Sequence, residues 1–244
     1  MRDKLRTAAL ASVLIGWSAA AQWHPAPRVP ASGVPTPRLP ASGFPTLRLP
    51  SRWELARGIS DQWHPVSQAV FGAAVPVLTR GSLGLRPPTL WAGLRWGAAA
   101  AAPVLIAVAV STAIPPVRDG MAARTLPAST VRWLLVRIPI GTVWAEEAAY
   151  RGALGTVAER AFGASGGQLV AAVAFGLSHV PDARATGESV PGTVLVTGAA
   201  GWIFGWLYAK SGSLAAPMLV HLAVNEAGAV AALAVQRYRR AGGG

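Results

Sequence analysis

Long apolar stretches alternate with short polar connections over most of this chain. Apolar runs recur at 7–21, 66–79, 96–114, 131–157, 163–180, 190–209 and 214–235. The connections, such as "RGSLGLRPP" and "FGASGG", carry the glycine, proline and serine that are typical of turns. A helix needs about 20 residues to cross the hydrocarbon core of a bilayer, and only the 66–79 run is clearly shorter among the internal ones. The pattern predicts an all-α fold, a polytopic membrane helical bundle.

The first apolar run follows a basic head. "MRDKLR" precedes "TAALASVLIGWSAAA" (7–21), and this arrangement is typical both of a secretory signal and of a first spanning helix. We favour the retained helix, so residues 1–21 are predicted to be an N-terminal apolar helix. Both ends of the chain are basic, which favours two cytoplasmic termini, whereas seven spans would place the termini on opposite sides. The sequence leaves the topology open.

Residues 22–65 differ from the rest of the chain in composition. "PRVPASGVPT" (27–36) is repeated as "PRLPASGFPT" (37–46). Proline at this frequency is incompatible with a helix and favours extended chain. The segment is predicted to be a low-complexity linker rich in proline and arginine, formed by tandem duplication. At the other end, residues 237–244 form a basic, glycine-rich tail.

The composition supports a membrane protein and narrows the chemistry. The chain of 244 residues is 52% hydrophobic and 13% charged, whereas soluble domains carry about 25% charged residues. Its basic residues, which give a net charge of +12, lie beside apolar runs, so anionic lipid is the expected partner and nucleic acid is not. Without cysteine, a disulfide, a thiolate nucleophile and a cysteine-ligated metal are excluded. The excess of arginine over lysine indicates a GC-rich bacterial genome.

Small residues recur at helical spacing in "GAAGWIFG". Gly198, Gly201 and Gly205 are separated by three and four residues, which places them on one face of a helix. Small side chains at such a face let two helices approach closely in a membrane. This stretch is therefore predicted to pack tightly against a neighbouring helix.

Three charged residues lie close together in the second half of the apolar run at 131–157. Glu146, Glu147 and Arg151 lie in "TVWAEEAAYRGAL" (142–154). Ionisable residues inside a membrane are costly and are candidate functional residues. Glu147 and Arg151 are four residues apart, so on a helix they share a face and can form an ion pair. Glu146 points about 100° away from Glu147, which leaves it free for another task.

Two histidines and an asparagine lie in other apolar runs. His179 lies just before Pro181, where a helix is expected to end, and His221 and Asn225 share a helix face. A carboxylate, two imidazoles and an amide that converge can activate a water and stabilise an oxyanion. The carboxylate and the imidazoles are also zinc ligands. A transporter would use buried Glu and His too, but no internal repeat with broken helices is visible.

Three motifs resemble those of one family. "EEAAYR" (146–151), "FGLSH" (175–179) and "HLAVN" (221–225) match EExxxR, FxxxH and HxxxN in this order. These motifs are typical of the CPBP intramembrane proteases, which include type II CAAX prenyl endopeptidases and abortive-infection, bacteriocin-processing proteins. The resemblance covers roughly residues 90–235. It implies a helical membrane fold with an intramembrane catalytic cavity that opens to lipid.

The resemblance also implies catalytic roles. Glu146 and His179 match the residues that activate the attacking water in this family. His221 and Asn225 match the residues that stabilise the oxyanion. The chemistry of the family has been explained both with a metal and without one. The cofactor therefore stays open between none and a divalent metal such as zinc, with Glu146, His179 and His221 as the candidate ligands.

The remaining motif positions match supporting residues of the family. Glu147 and Arg151 match a supporting ion pair, in agreement with their helical spacing, and Phe175 matches the packing residue that begins the second motif. Residues 66–236 are accordingly predicted to form the protease domain.

The sequence therefore predicts a multi-pass intramembrane endopeptidase of the cell membrane. Its expected partners are the lipid bilayer and a peptide or membrane-protein substrate. A CAAX substrate is not expected, because few bacteria prenylate proteins. The alternative is a non-proteolytic membrane scaffold or a bacteriocin self-immunity protein on the same fold. An intact catalytic set favours the protease, since a scaffold has no physical need for Glu146, His179, His221 and Asn225 together.

Overall fold

The chain folds into helices joined by short connections. The computed structural model describes residues 1–22 and 52–242, and no strand occurs among them. The helical elements in chain order are α1 (Arg2–Gln22), α2 (Arg52–Thr79), α3 (Thr89–Ser111), α4 (Pro115–Ala123), α5 (Thr130–Arg132), π1 (Trp133–Trp144), α6 (Ala145–Glu147), π2 (Ala148–Gly155), α7 (Thr156–Ser178), α8 (Val180–Thr186), α9 (Val190–Ser211) and α10 (Ala215–Gly242).

Four of the described helices are long and apolar enough to cross a membrane. They are Thr89–Ser111, Thr130–Thr186, Val190–Ser211 and Ala215–Ala241, and a shorter apolar helix covers Pro65–Thr79. The predicted all-α membrane bundle is confirmed. The exterior of the bundle agrees with a lipid environment, because large apolar side chains such as Ile106, Leu195 and Ile203 are more than half exposed.

The long helical segment from Thr130 to Thr186 contains a sharp break. Gly163 has φ 74° and ψ 173°, a backbone conformation that other residues rarely adopt. The break falls in "FGASGG", the stretch predicted to connect the apolar runs 131–157 and 163–180. It separates a first part that carries the two adjacent glutamates from a second part that leads to His179, directly after α7.

The N-terminal helix packs onto the bundle. α1 lies against α7, and its Leu14 and Thr7 are buried. Its first turns contain charged residues, and α1 is not among the described helices that are apolar enough to span. The division of the chain into domains therefore stays a prediction, although α1 is in direct contact with the helices that carry the site.

α2 begins inside the predicted linker. Most of the range 22–65 lies outside the described residues, but 52–65 are helical, in contrast to the extended chain expected there. The proline repeat ends at Pro50 and the next proline is Pro65. The intervening residues therefore keep their backbone donors and can form a helix. α2 then packs against π1 and π2.

The glycine face of α9 packs closely against α7, as predicted. A Cβ atom at Gly201 would lie 3.0 Å from a ring carbon of Phe175 and 3.3 Å from the backbone of Ala172. At Gly198 the corresponding atom would lie 3.6 Å from the Ala172 carbonyl oxygen. These short distances bring the α9 backbone next to Phe175. The position of that ring thus depends on the absence of a side chain at Gly201.

Gly201→Val is expected to lower the free energy of unfolding by about 1–3 kcal/mol, because the added methyl groups overpack the contact with Phe175. The matched control is Gly228→Val on α10, where an added Cβ has no described atom within 4 Å apart from the backbone of its own helix and its chain neighbours. Both changes replace a helical glycine with the same residue. Melting temperatures in detergent measure the difference, and equal temperatures for the two variants would contradict the close packing at Gly201.

Candidate active site

One cavity collects the residues that the motifs singled out. It has a volume of about 450 Å³, and its wall includes Glu146, His179, His221 and Asn225 together with Phe175. Glu146 comes from α6, His179 follows α7, and the other two candidates lie one turn apart on α10. Residues that are distant along the chain therefore line one cavity.

The two adjacent glutamates occupy different environments, as their helical geometry requires. The side chain of Glu146 lines the cavity and is 14% exposed, whereas that of Glu147 is fully buried. Both lie in α6, between the π-helical stretches π1 and π2. Such wide turns are often found at functional sites. Only Glu146 is thus placed to meet a molecule in the cavity.

Glu147 and Arg151 form the ion pair expected from their spacing. Arg151 Nη1 donates to Glu147 Oε1 at 3.1 Å, and Arg151 Nη2 donates to the carbonyl oxygen of Gly201 at 3.3 Å. The guanidinium carbon lies 4.2 Å from the ring centre of Phe175 and 5.1 Å from that of Phe204. Aromatic faces attract such a cation. Burial, charge and packing together hold the side chain of Arg151 against α9.

His221 lies between the two glutamates. Its Nδ1 is 2.8 Å from Glu147 Oε1, and its Nε2 is 3.9 Å from Glu146 Oε2. Because a carboxylate oxygen accepts, Nδ1–H is the donor, and this bond fixes the orientation of the ring. The ring also stacks on Phe204 with centroids 5.1 Å apart. Glu147 therefore does more than pair with Arg151: it also positions His221.

His179 is held in a similar way at the end of α7. Its Nδ1 lies 2.8 Å from the carbonyl oxygen of Phe175, which can only accept, so Nδ1 carries the proton. The rings of Phe175 and His179 meet at a steep angle with centroids 4.7 Å apart. In this tautomer Nε2 has a free lone pair. Phe175 thus supports His179 through both its backbone and its ring.

The sequence did not identify several other residues of the cavity wall. Trp17 and Ser18 of α1 and Gln68 of α2 line it, and the ring of Trp17 stacks on that of Phe71 at 4.4 Å. No local pattern marks these positions, because their contribution depends on how α1 and α2 dock. Arg137 of π1 also lines the cavity. A charge inside the apolar run 131–157 was the signal that could have identified it.

The candidate metal ligands line one cavity but do not form a metal-binding cluster. Glu146, His179 and His221 were predicted as candidate ligands of a divalent metal. Within residues 1–22 and 52–242, no cluster of three or more His, Cys, Asp or Glu side chains is arranged to hold a metal ion. We therefore derive no catalytic step through a metal.

Comparison with known families agrees with the motifs. The family model for "Type II CAAX prenyl endopeptidase Rce1-like" proteins matches residues 128–227. This range includes all three motifs and the four candidate catalytic residues that line the cavity. No curated protein and no solved structure matches the chain.

Proposed function

We propose that the chain is an intramembrane endopeptidase, because residues 128–227 match the family model of Rce1-like type II CAAX prenyl endopeptidases. In this proposal, a water activated by Glu146 and His179 hydrolyses a peptide bond. The family is one of proteases, and the apolar helices make the chain a membrane protein. The residue roles, the substrate and the location in the cell membrane are the proposed part.

One observation carries the proposal. Glu146, His179, His221 and Asn225 come from three separate segments and line one cavity of about 450 Å³. A bundle that only needed to be stable would gain from apolar side chains at these positions, because burying polar groups is costly. The convergence of an acid–base pair with two hydrogen-bonding side chains therefore supports a chemical role.

Glu146 is the proposed general base. Its side chain lines the cavity, and its buried Oε2 has no hydrogen-bond partner in the described part of the chain, so the carboxylate keeps acceptor capacity that the fold does not use. The carboxylate takes a proton from the water as the water oxygen bonds to the scissile carbonyl carbon. His179 positions this water through Nε2, which its Nδ1 bond to Phe175 leaves as an acceptor. Proton transfer from Glu146 to the amine nitrogen then accompanies cleavage of the C–N bond.

His221 and Asn225 are the proposed donors to the oxyanion. In the doubly protonated ring Nε2–H is a donor, and Glu147 compensates the positive charge through its contact with Nδ1. The side-chain amide of Asn225, one turn further along α10, supplies the second hydrogen bond. Donors fixed in advance stabilise the charge that develops on the carbonyl oxygen in the transition state.

The proposed substrate is a peptide or a segment of a membrane protein. The cavity is built from helices with apolar exteriors, so an apolar peptide in the bilayer can approach it from the side. The name of the family refers to CAAX prenyl substrates. For this chain we propose the broader class of peptides and membrane-protein segments. The residues of the cavity are suited to hydrolysis of a peptide bond, and none of them indicates a prenyl group.

Cleavage of a peptide library by the purified full chain tests the proposal. The chain in detergent should cut a subset of peptides at a defined bond, and the products can be identified by mass spectrometry. A parallel sample treated with a chelator of divalent metals distinguishes the two cofactor alternatives, because loss of activity would indicate a metal and retained activity would indicate a reaction without one. The same assay is repeated with the chain reconstituted in liposomes. Absence of cleavage in both detergent and liposomes would favour the scaffold or immunity alternative.

Asn225→Ala is expected to lower turnover by about 10²–10³-fold with little change in substrate binding, because an oxyanion donor acts mainly in the transition state. The measurement is kcat and KM on a peptide that the wild type cleaves. Val224→Ala serves as the control, since it removes a neighbouring side chain from the same cavity wall. An unchanged kcat in Asn225→Ala would remove this residue from the mechanism.

A further inference from the structure

A second cavity lies far along α10 from the candidate active site. It is formed where the segment between α4 and α5 meets the last turns of α10, and its volume is about 420 Å³. Three arginines line it, namely Arg124, Arg237 and Arg240, and none of its described lining residues is acidic. We call this cavity the arginine pocket. Its charge has no role in the proposed hydrolysis.

The positive charge of the arginine pocket is not neutralised within the described chain. The ion pairs found among residues 1–22 and 52–242 include none of its three arginines. Arg239, on the same helix, pairs instead with Asp119 of α4 and does not line the pocket. Like charges held together raise the local potential, so the pocket attracts an anion.

The pocket is also held in shape by a hydrogen-bonded side chain. Gln236 Nε2 of α10 donates to the carbonyl oxygen of Arg124 at 2.7 Å and to that of Met121 at 3.2 Å. These bonds fix the segment that carries Arg124 against the helix that carries the other two arginines. A site fixed before binding loses less entropy when the ligand arrives.

The surroundings of the pocket indicate where it lies relative to lipid. Ala215–Ala241 is long and apolar enough to span a membrane, and Arg237 and Arg240 lie in its last turns. This end of a spanning helix is expected at the level of the lipid headgroups. Leu126 and Leu233 line the same pocket and offer an apolar surface beside the arginines.

We propose that the arginine pocket binds the phosphate of an anionic phospholipid headgroup. A guanidinium can donate two parallel hydrogen bonds to phosphate oxygens, and Thr125 and Thr130 bring hydroxyl groups to the pocket wall. Basic pockets at the ends of membrane helices are suited to such headgroups. Inorganic phosphate shares this chemistry but would not use the apolar wall. The proposal does not depend on protease activity.

Titration of the full chain in neutral detergent with phosphatidylglycerol tests this proposal. Bound lipid is counted by native mass spectrometry. Arg237→Gln and Arg240→Gln should each weaken the apparent affinity roughly fivefold, since a basic residue near an anionic surface contributes about 1 kcal/mol. The double variant should show about the product of the two effects. Arg239→Gln is the matched control, with the same charge change on the same helix, and should change the affinity less than about twofold.

Further measurements distinguish a specific lipid site from nonspecific electrostatic attraction of the lipid. Gln236→Leu keeps all three charges but releases the segment at Arg124, so it should also weaken lipid binding. Phosphatidylcholine, which is neutral overall, and inorganic phosphate at the same concentration should bind more weakly than phosphatidylglycerol. Circular dichroism checks that each variant keeps its helices. If Arg240→Gln does not, Arg240→Lys takes its place and should also weaken lipid binding, because lysine keeps the charge but lacks the paired donors of the guanidinium.

Three results would overturn the lipid site. An equal loss of lipid affinity in Arg239→Gln would show that the lipid is attracted by surface charge in general and not by the arginine pocket. Equal binding of inorganic phosphate would identify a free-anion site instead. Unchanged affinity in the Arg237→Gln/Arg240→Gln double variant would show that the pocket does not hold the headgroup.

Discussion

Glu146→Gln is expected to reduce the cleavage rate by at least about 10²–10⁴-fold, the range that a general base contributes. Glutamine keeps the shape of the side chain but cannot accept a proton from water. Of the two adjacent glutamates, Glu146 is the one whose side chain lines the cavity, and its Oε2 has no hydrogen-bond partner among the described residues. Its loss therefore removes the proposed base without opening a gap in the wall.

The same variant should keep a melting temperature close to that of the wild type. Among the described residues, Glu146 Oε2 has no hydrogen-bond partner, and His221 Nε2 lies 3.9 Å from it. Cleavage rate and melting temperature in detergent are the two measurements. Glu226→Gln on α10 is the control, because it is the same chemical change outside the cavity wall. Near wild-type cleavage by Glu146→Gln would contradict both the role of Glu146 and the protease proposal.

The class of the protein could be predicted because it depends on composition and on the apolar runs. Its local contacts could be predicted because they depend on residues close together in the sequence. The apolar runs and the low fraction of charged residues determine a membrane bundle, whatever the details of packing. The contact between Glu147 and Arg151 follows from four-residue spacing on one helix. The close approach at Gly201 follows in the same way, from small residues on one helix face. Gly163 was predicted only as part of a connection, and its positive φ is a property of the folded chain.

The long-range part of the site could not be predicted. The bond between His221 and Glu147 joins residues separated by 74 positions, and no spacing rule relates them. Trp17 lines the cavity because α1 packs against α7, which is a matter of tertiary structure. The motifs identified the residues that meet in the cavity. They did not show that Glu147 contacts both Arg151 and His221.

This shared contact changes what is expected of Glu147. Its Oε1 accepts from Arg151 Nη1 at 3.1 Å and from His221 Nδ1 at 2.8 Å. Arg151 is almost completely buried and depends on Glu147 for its counter-charge. His221 depends on the same oxygen for its orientation. One carboxylate therefore supports the stability of the bundle through one contact and the proposed oxyanion donor through the other.

Glu147→Gln is expected to destabilise the protein by about 3–5 kcal/mol, because it leaves the buried Arg151 without a counter-charge. Arg151→Met should be destabilising as well, since a buried carboxylate then loses its partner. The double variant Glu147→Gln/Arg151→Met removes both charges, so part of the lost stability should return. Its turnover should stay low, because His221 still lacks the carboxylate that fixes its ring and compensates its charge. Melting temperature and kcat for the three variants separate the two roles. Recovery of kcat together with stability in the double variant would show that Glu147 acts only as the partner of Arg151.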